Sequence, residues 1–167
     1  GPATLVLDVV TDADGAITLD TSLTAPRAQA NFQGIATPQE TGYLVQGEGA
    51  ASVSELGAYS AIAGQRLGGG LSVEMDGTFA TDTQVLRADV TAQTQGLRVA
   101  SPALDPVLAG LGRINANVSL SQAGRLRLDA LDVAFPNLTA QGDVATTGAD
   151  TFANLSVRLR DVALLVS

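Results

Sequence analysis

The sequence predicts a mainly β fold: an elongated, curled, antiparallel-rich sheet with one hydrophobic side and two short helices. Three observations predict it. Apolar and polar residues alternate from Leu5 to the C-terminus, the period-two pattern that gives every strand one oily and one wet face. The opening hairpin recurs about 109 residues on, from Gly15 to Gly124, so slightly over one and a half units of an elongated repeat array are present. Aromatic residues make up only 4% of the chain, with no Trp. The oily face is therefore Leu, Val, Ile and Ala, not the bulky rings that carry much of the burial energy in a closed sandwich core.

The elements follow in order. Leu5, Leu7 and Val9 alternate with Thr4, Val6 and Asp8; Asp12-Ala13-Asp14-Gly15 turns the chain, and Ile17, Leu19 and Leu23 resume opposite Thr18, Asp20 and Ser22, a hairpin. Pro26 ends that strand, and Ala28, Ala30 and Phe32 start the next, with Gln29, Asn31 and Gln33 outward. Tyr43, Val45 and Val53 mark another, with Gln46 and Glu48 on its other face. A first helix is expected near 54–64, with Ser52 or Ser54 as N-cap, Glu55 as capping-box acid, Leu56, Tyr59 and Ile62 on one face, and Gly64 as stop.

Leu71, Val73, Met75 and Phe79 then oppose Ser72, Glu74, Asp76 and Thr78, and after a turn near Asp82, Leu86, Ala88, Val90 and Ala92 oppose Arg87, Asp89, Thr91 and Gln93. A second helix is expected near 102–111, with Ser101 as N-cap, Pro102 at the first position, Leu104, Leu108 and Leu111 inward, and Gly110 or Gly112 as stop. Val118 to Asp129 repeats the cadence of Leu7 to Asp20, and Pro136 matches Pro26 after one inserted residue. Leu138, Ala140, Gly142 and Val144, then Leu155, Val157 and Leu159, form the last clear strands.

Charge and composition exclude several functions. A net charge of −8, with its cations spread singly along the strands, argues against nucleic acid and against anionic headgroups, both of which need clustered cations. Cysteine and histidine are absent, which removes disulfides, thiolate metal sites and most catalytic constellations. The acids sit singly on turns or wet faces without a cleft or sugar platform, so no enzyme and no cofactor is expected. The short aliphatic stretch at 162–166 is far below the ~18 residues of a spanning helix. Gly1-Pro2 reads as the scar of a cleaved tag, and 3–167 as a single internal piece of a longer repeat protein.

Three motifs have bland readings that suffice. Asp12 to Gly15 resembles the middle of a calcium loop, but Val10 and Thr21 stand at its first and twelfth ligand positions, so a plain hairpin turn is expected. Gly68-Gly69-Gly70 has no Lys-Ser/Thr after it and reads as a flexible exit from the helix, not a phosphate cradle. The tripeptides at Asn117, Asn137 and Asn154 match the glycosylation acceptor pattern, which polar alternation along a strand generates by itself.

About ten strands spaced ~4.8 Å apart make a sheet on the order of 45 Å across. Two short helices cannot cover its oily side, so the sheet must curl into a barrel, a sandwich or an open trough. From the pattern alone, the face is either an ordinary core or a lipid-binding groove.

The cadence Leu56 to Leu71 (LGAYSAIAGQRLGGGL), the alternating strands after it, Leu104 to Gly110 (LDPVLAG) and the following Ala-Gly hairpin resemble the repeats of the TamB family, the bacterial translocation and assembly module proteins of the wider AsmA-like group. The resemblance covers essentially residues 3 to 167 and rests on repeat cadence. It implies a periplasmic protein anchored in the inner membrane outside this piece, a taco-like sheet around a hydrophobic groove, an outer-membrane Omp85-type β-barrel as partner, and roles in phospholipid transport between the membranes and in outer-membrane protein assembly. The acyl chains of phospholipid would then lie against Leu5, Leu7, Leu19, Val73, Met75, Phe79, Leu86, Val90, Val118, Leu126, Leu128, Leu138, Leu155, Val157 and Leu159. Two alternatives stay open: a structural or chaperone-like module whose edges pair with nascent β-barrel strands, and a closed-core repeat of an exported stalk. Edge strands at both ends also favour edge-to-edge self-association.

Overall fold

The computed structural model describes residues 2–147 and 150–160, without the side chains of residues 62 and 63. The stretch at 162–166 and the inward placement of Ile62 lie outside the described residues. Ten strands run in order: β1 (Thr4–Thr11), β2 (Ile17–Ala25), β3 (Ala28–Pro38), β4 (Tyr43–Val53), β5 (Gly68–Ala80), β6 (Val85–Arg98), β7 (Leu111–Leu120), β8 (Leu126–Ala134), β9 (Leu138–Thr147) and β10 (Asp150–Leu159). They form one antiparallel sheet in which spatial order equals sequence order. Each strand pairs with the next because an antiparallel neighbour needs only a turn to reach it. The sheet is not closed: β1 and β10 are its two edges.

The repeat is visible in the backbone. In the β1–β2 turn the Asp12 N–H donates to the Ala16 carbonyl (3.0 Å) and the Gly15 N–H to the Asp12 carbonyl (3.3 Å). In the β7–β8 turn Ser121 donates to Arg125 (3.0 Å) and Gly124 to Ser121 (2.8 Å). Gly15 and Gly124 take φ of 81° and 70°, the left-handed conformation that glycine adopts without steric cost. Asp12 directs Oδ1 at the N–H groups of Asp14 and Ala16, each at 2.9 Å, so its carboxylate closes its own turn. Thus β7 to β10 repeat β1 to β4.

The one inserted residue of the second unit is absorbed in β8. An extra residue in a strand would turn every later side chain to the opposite face. Here the register slips between Leu128 and Leu131, and Ala130 takes a φ of 52° while its N–H donates to Asp143 Oδ1 (3.1 Å). This β-bulge restores the phase, and Val133 lies beside Ile114 and Ala140 on the apolar face.

Both helical insertions lie at one end of the sheet, in the β4–β5 and β6–β7 connections, and are shorter than the sequence predicts. The first is a 3₁₀ turn, Leu56–Tyr59, continuing into α1 (Ser60–Ala63); the second, α2, is Asp105–Leu108. Gly64 ends α1 in the left-handed conformation as expected, but the serine caps are not formed. Ser52 belongs to β4, and Ser54 instead bonds the Arg27 carbonyl through its N–H (2.9 Å) and hydroxyl (3.4 Å). Glu55 pairs with Arg27 (3.1 Å) at the surface.

In the second insertion the Ser101 carbonyl accepts from the Leu104 and Asp105 N–H groups (3.1 and 2.9 Å) and its Oγ from the Leu104 N–H (3.4 Å), so the expected serine bond is made, to a turn that precedes the helix. The proline in the first helical turn is Pro106, not Pro102. Leu104 is exposed and Leu111, 73% exposed, opens β7 on its polar side; the residue buried from α2 is Val107, at 2%. Four-residue helices have one turn and bury one position, so an 11-residue amphipathic pattern was more than these insertions could carry. The glycine run at 68–70 is also not a flexible exit. It starts β5, and Gly69 (φ 90°) forms a bulge where a side chain would collide with the Gln95 and Gly96 carbonyls.

No closed core exists among the described residues. The buried apolar side chains are Ala36, Ala88, Val107 and Phe135. Accessible surface is 10738 Å², against roughly 7,700 Å² for a compact monomer of this length. The two faces are unequally shaded: along β3, Ala28, Ala30, Phe32, Gly34 and Ala36 are half-buried or buried, while Gln29, Asn31, Gln33, Ile35 and Thr37 are all exposed. The sheet curls around its apolar side.

Candidate functional site

Opposed residues in an antiparallel sheet project to the same face, so the register sorts every strand residue. One row runs without interruption across all ten strands: Leu5, Leu23, Ala30, Ala51, Val73, Ala92, Ile114, Val133, Ala140, Val157. A second runs Val9, Leu19, Gly34, Gly47, Gly77, Ala88, Val118, Leu128, Val144, Ala153. Neither contains a polar side chain. The rows lie along the hydrogen-bonding direction, so the apolar track crosses the strands.

All fifteen residues proposed from the sequence as groove lining fall on this face. Leu5 and Leu7 (β1), Leu19 (β2), Val73, Met75 and Phe79 (β5), Leu86 and Val90 (β6), Val118 (β7), Leu126 and Leu128 (β8), Leu138 (β9) and Leu155, Val157 and Leu159 (β10) share it by register. None is buried. Leu5, Leu7, Met75, Phe79, Leu155 and Val157 are exposed and the other nine are half-buried. This is the exposure of a surface roofed by nothing described, shaded by its own curl.

Sequence reasoning missed what fills the floor. Gly34, Gly47 and Gly49 lie on the apolar face, and the Phe32 ring covers them: a side chain at Gly47 would meet Phe32 Cζ at 2.7 Å, and one at Gly34 the same atom at 2.9 Å. Glycines in neighbouring strands leave room that one aromatic ring occupies. The signal was the alternation Gly47-Glu48-Gly49, glycine at apolar positions. At the helical end Phe135 does the same over Gly112 and is 6% exposed. These two rings fill glycine gaps in a mostly aliphatic face that also carries the exposed Phe79 and Tyr43.

The opposite face is hydrophilic. A register row carries Asp8, Asp20, Gln33, Glu48, Asp76, Asp89, Asn117 and Asp129 from β1 to β8, and Asp143 and Asn154 continue past the bulge. Like charges directly opposed are unfavourable, and amides relieve part of the repulsion. Gln33 Nε2 donates to Asp20 Oδ2 at 3.0 Å, Asn117 Nδ2 donates to Asp89 Oδ1, and Arg127 pairs with Asp129 at 3.0 Å. A shallow furrow of about 430 Å³ on this side is lined by Asn31, Gln33, Glu48, Glu74, Asp76, Asp89 and Thr91 together with Gly49, Ala50 and Met75, so most of its lining is polar. Among the described residues no three acidic side chains converge as a metal ligand set.

The apolar face therefore supplies area without directional contacts, suited to binding long aliphatic groups. Gathered methylenes contribute roughly 0.8 kcal/mol each. No family model, no curated protein and no solved structure matches this chain.

Proposed function

We propose that the chain is a segment of a lipid-binding groove: part of a periplasmic, bridge-like protein that supports phospholipid transport between the inner and outer membranes and outer-membrane protein assembly. The observation that carries the lipid reading is the pair of unbroken apolar rows spanning ten strands on an unclosed sheet. The envelope setting, the inner-membrane anchor outside this piece and the Omp85-type barrel partner come with the likeness of its cadence to TamB-family repeats.

The mechanism is physical and needs no catalysis. Acyl chains lie across the strands on the aliphatic rows, while headgroups project into water from the open seam. Transport requires nearly equal affinity at successive positions, and a row that meets Ala, Val, Leu or Gly every ~4.8 Å supplies it. A site of strong directional contacts would trap its lipid instead.

Protein purified from a bacterial host without detergent is expected to carry phospholipid, recovered by organic extraction and identified by mass spectrometry. After delipidation it should bind fluorescent fatty acids. A lipid-free protein that gives no response to acyl probes would contradict the groove.

A further inference from the structure

We infer that the two rims of the apolar face are electrostatically opposite, and that the rim carrying the helical connections holds the anionic phosphate of a bound lipid. The inference rests on the lipid-binding reading above and gives the lipid an orientation. The rims are the two lines of strand ends and connections that flank the apolar face, so further strands in an array would lengthen both and cover neither.

The arginines stand singly in the sequence, but the up-and-down order of the strands gathers them. The register row from Leu5 to Val157 divides the sheet into a helical side and a hairpin side. On the helical side lie Arg27, Arg66, Arg98, Arg113, Arg158 and Arg160, with only Glu55 and Asp105 as acids among the described residues. The other three arginines, Arg87, Arg125 and Arg127, stand on the hairpin side together with fourteen of the chain's seventeen acids. The turns repeat the contrast: Asp12 and Asp14, Glu40, and Asp82 occupy three hairpin turns, against Arg125 in a fourth. One rim attracts anions and the other repels them.

Arg66, Arg98 and Arg113 supply the site. All three are exposed, and none has a carboxylate at ion-pair distance among the described residues, where the pairs are Arg27 with Glu55 and Arg127 with Asp129. Asp105 is engaged elsewhere, its Oδ1 accepting the Val99 N–H at 2.8 Å. Arg66 and Arg98 adjoin: Gly68, two residues after Arg66, pairs with Arg98, whose Cβ and Cδ lie 3.5 and 3.7 Å from where a Gly68 side chain would begin. Inward from this rim the apolar face continues through Val53 and Leu71, opposed and half-buried, to Ala51 and Val73. A phosphate at the guanidinium groups, which match its oxygens in pairs, leaves its acyl chains on aliphatic surface. An inverted lipid sets the same phosphate against the acidic rim. Because the arginines are solvated, the attraction is screened by salt, and it orients a lipid without trapping it.

The test compares phosphatidylglycerol with diacylglycerol of the same fluorescent acyl chains, which lacks the phosphate, on delipidated protein. The double variant Arg66→Glu/Arg98→Glu is expected to bind phosphatidylglycerol about tenfold more weakly and diacylglycerol as before. Arg66→Gln/Arg98→Gln, which removes the charges without reversing them, should fall between. Arg125→Glu/Arg127→Glu makes the same change in net charge on the hairpin side and should weaken phosphatidylglycerol by less than about twofold. Glycerol phosphate in excess should displace neither lipid. Equal losses from the two Glu double variants, unchanged phosphatidylglycerol binding by Arg66→Glu/Arg98→Glu, or displacement by glycerol phosphate would overturn the cationic rim while leaving the groove intact. Failure of the unaltered protein to bind either lipid would instead overturn the groove, and the rim with it.

Discussion

Val73→Asp is expected to weaken acyl-chain binding at least about tenfold while leaving the sheet folded. Val73 stands in the middle of the first ten-strand apolar row, between Ala51 and Ala92, and is half-buried. An unpaired carboxylate in a dry core costs roughly 3–5 kcal/mol and would unfold a marginal domain. On an open face the carboxylate keeps its water in the free protein, so the loss is limited to strand propensity and side-chain contact, roughly 1–2 kcal/mol. With lipid bound the same carboxylate must be desolvated against methylenes, and each 1.4 kcal/mol lost is about tenfold in affinity. Leu128→Asp, between Val118 and Val144 in the second row, should behave alike. Urea unfolding and fatty-acid titration on one preparation separate the two effects.

Phe135→Ala is expected to do the reverse, costing about 3 kcal/mol of stability with little change in acyl affinity of the folded protein. The ring is among the few buried side chains and lies where Gly112 has none. With β8, β9 and β7 meeting beneath it, its loss opens a void that backbone cannot fill. As a contrast, Leu111→Ala removes a leucine of equal hydrophobicity class from an exposed position on the polar side and should change stability by less than about 0.5 kcal/mol. Denaturant midpoints compare the two directly.

The sheet and its oily face were legible because alternation is a local property. Each strand's period-two pattern names its own face, and antiparallel order through short turns then aligns those faces without long-range information. The β8 bulge at Ala130 was legible only as a one-residue excess between the repeats, since nothing local distinguishes a bulge from a longer turn. The helices were overextended for a related reason: Leu104, Leu108 and Leu111 fit a helical stripe, but Leu111 also starts a strand, and pairing with Gln95 of β6 outweighed one more helical turn. The packing of Phe32 and Phe135 over glycines was not legible because it depends on residues in adjacent strands, a relation that only register reveals.

Whether acyl chains occupy the apolar side is tested most directly by photo-crosslinking from the two faces of one strand. Met75 and Asp76 are neighbours in β5 on opposite sides of the sheet, so a benzophenone amino acid at either position samples one face at the same depth. With phospholipid vesicles carrying labelled acyl chains, the protein bearing the probe at Met75 is expected to capture lipid and the protein bearing it at Asp76 to remain unlabelled. Equal labelling from both positions, or none from Met75, would contradict a lipid track on the aliphatic face.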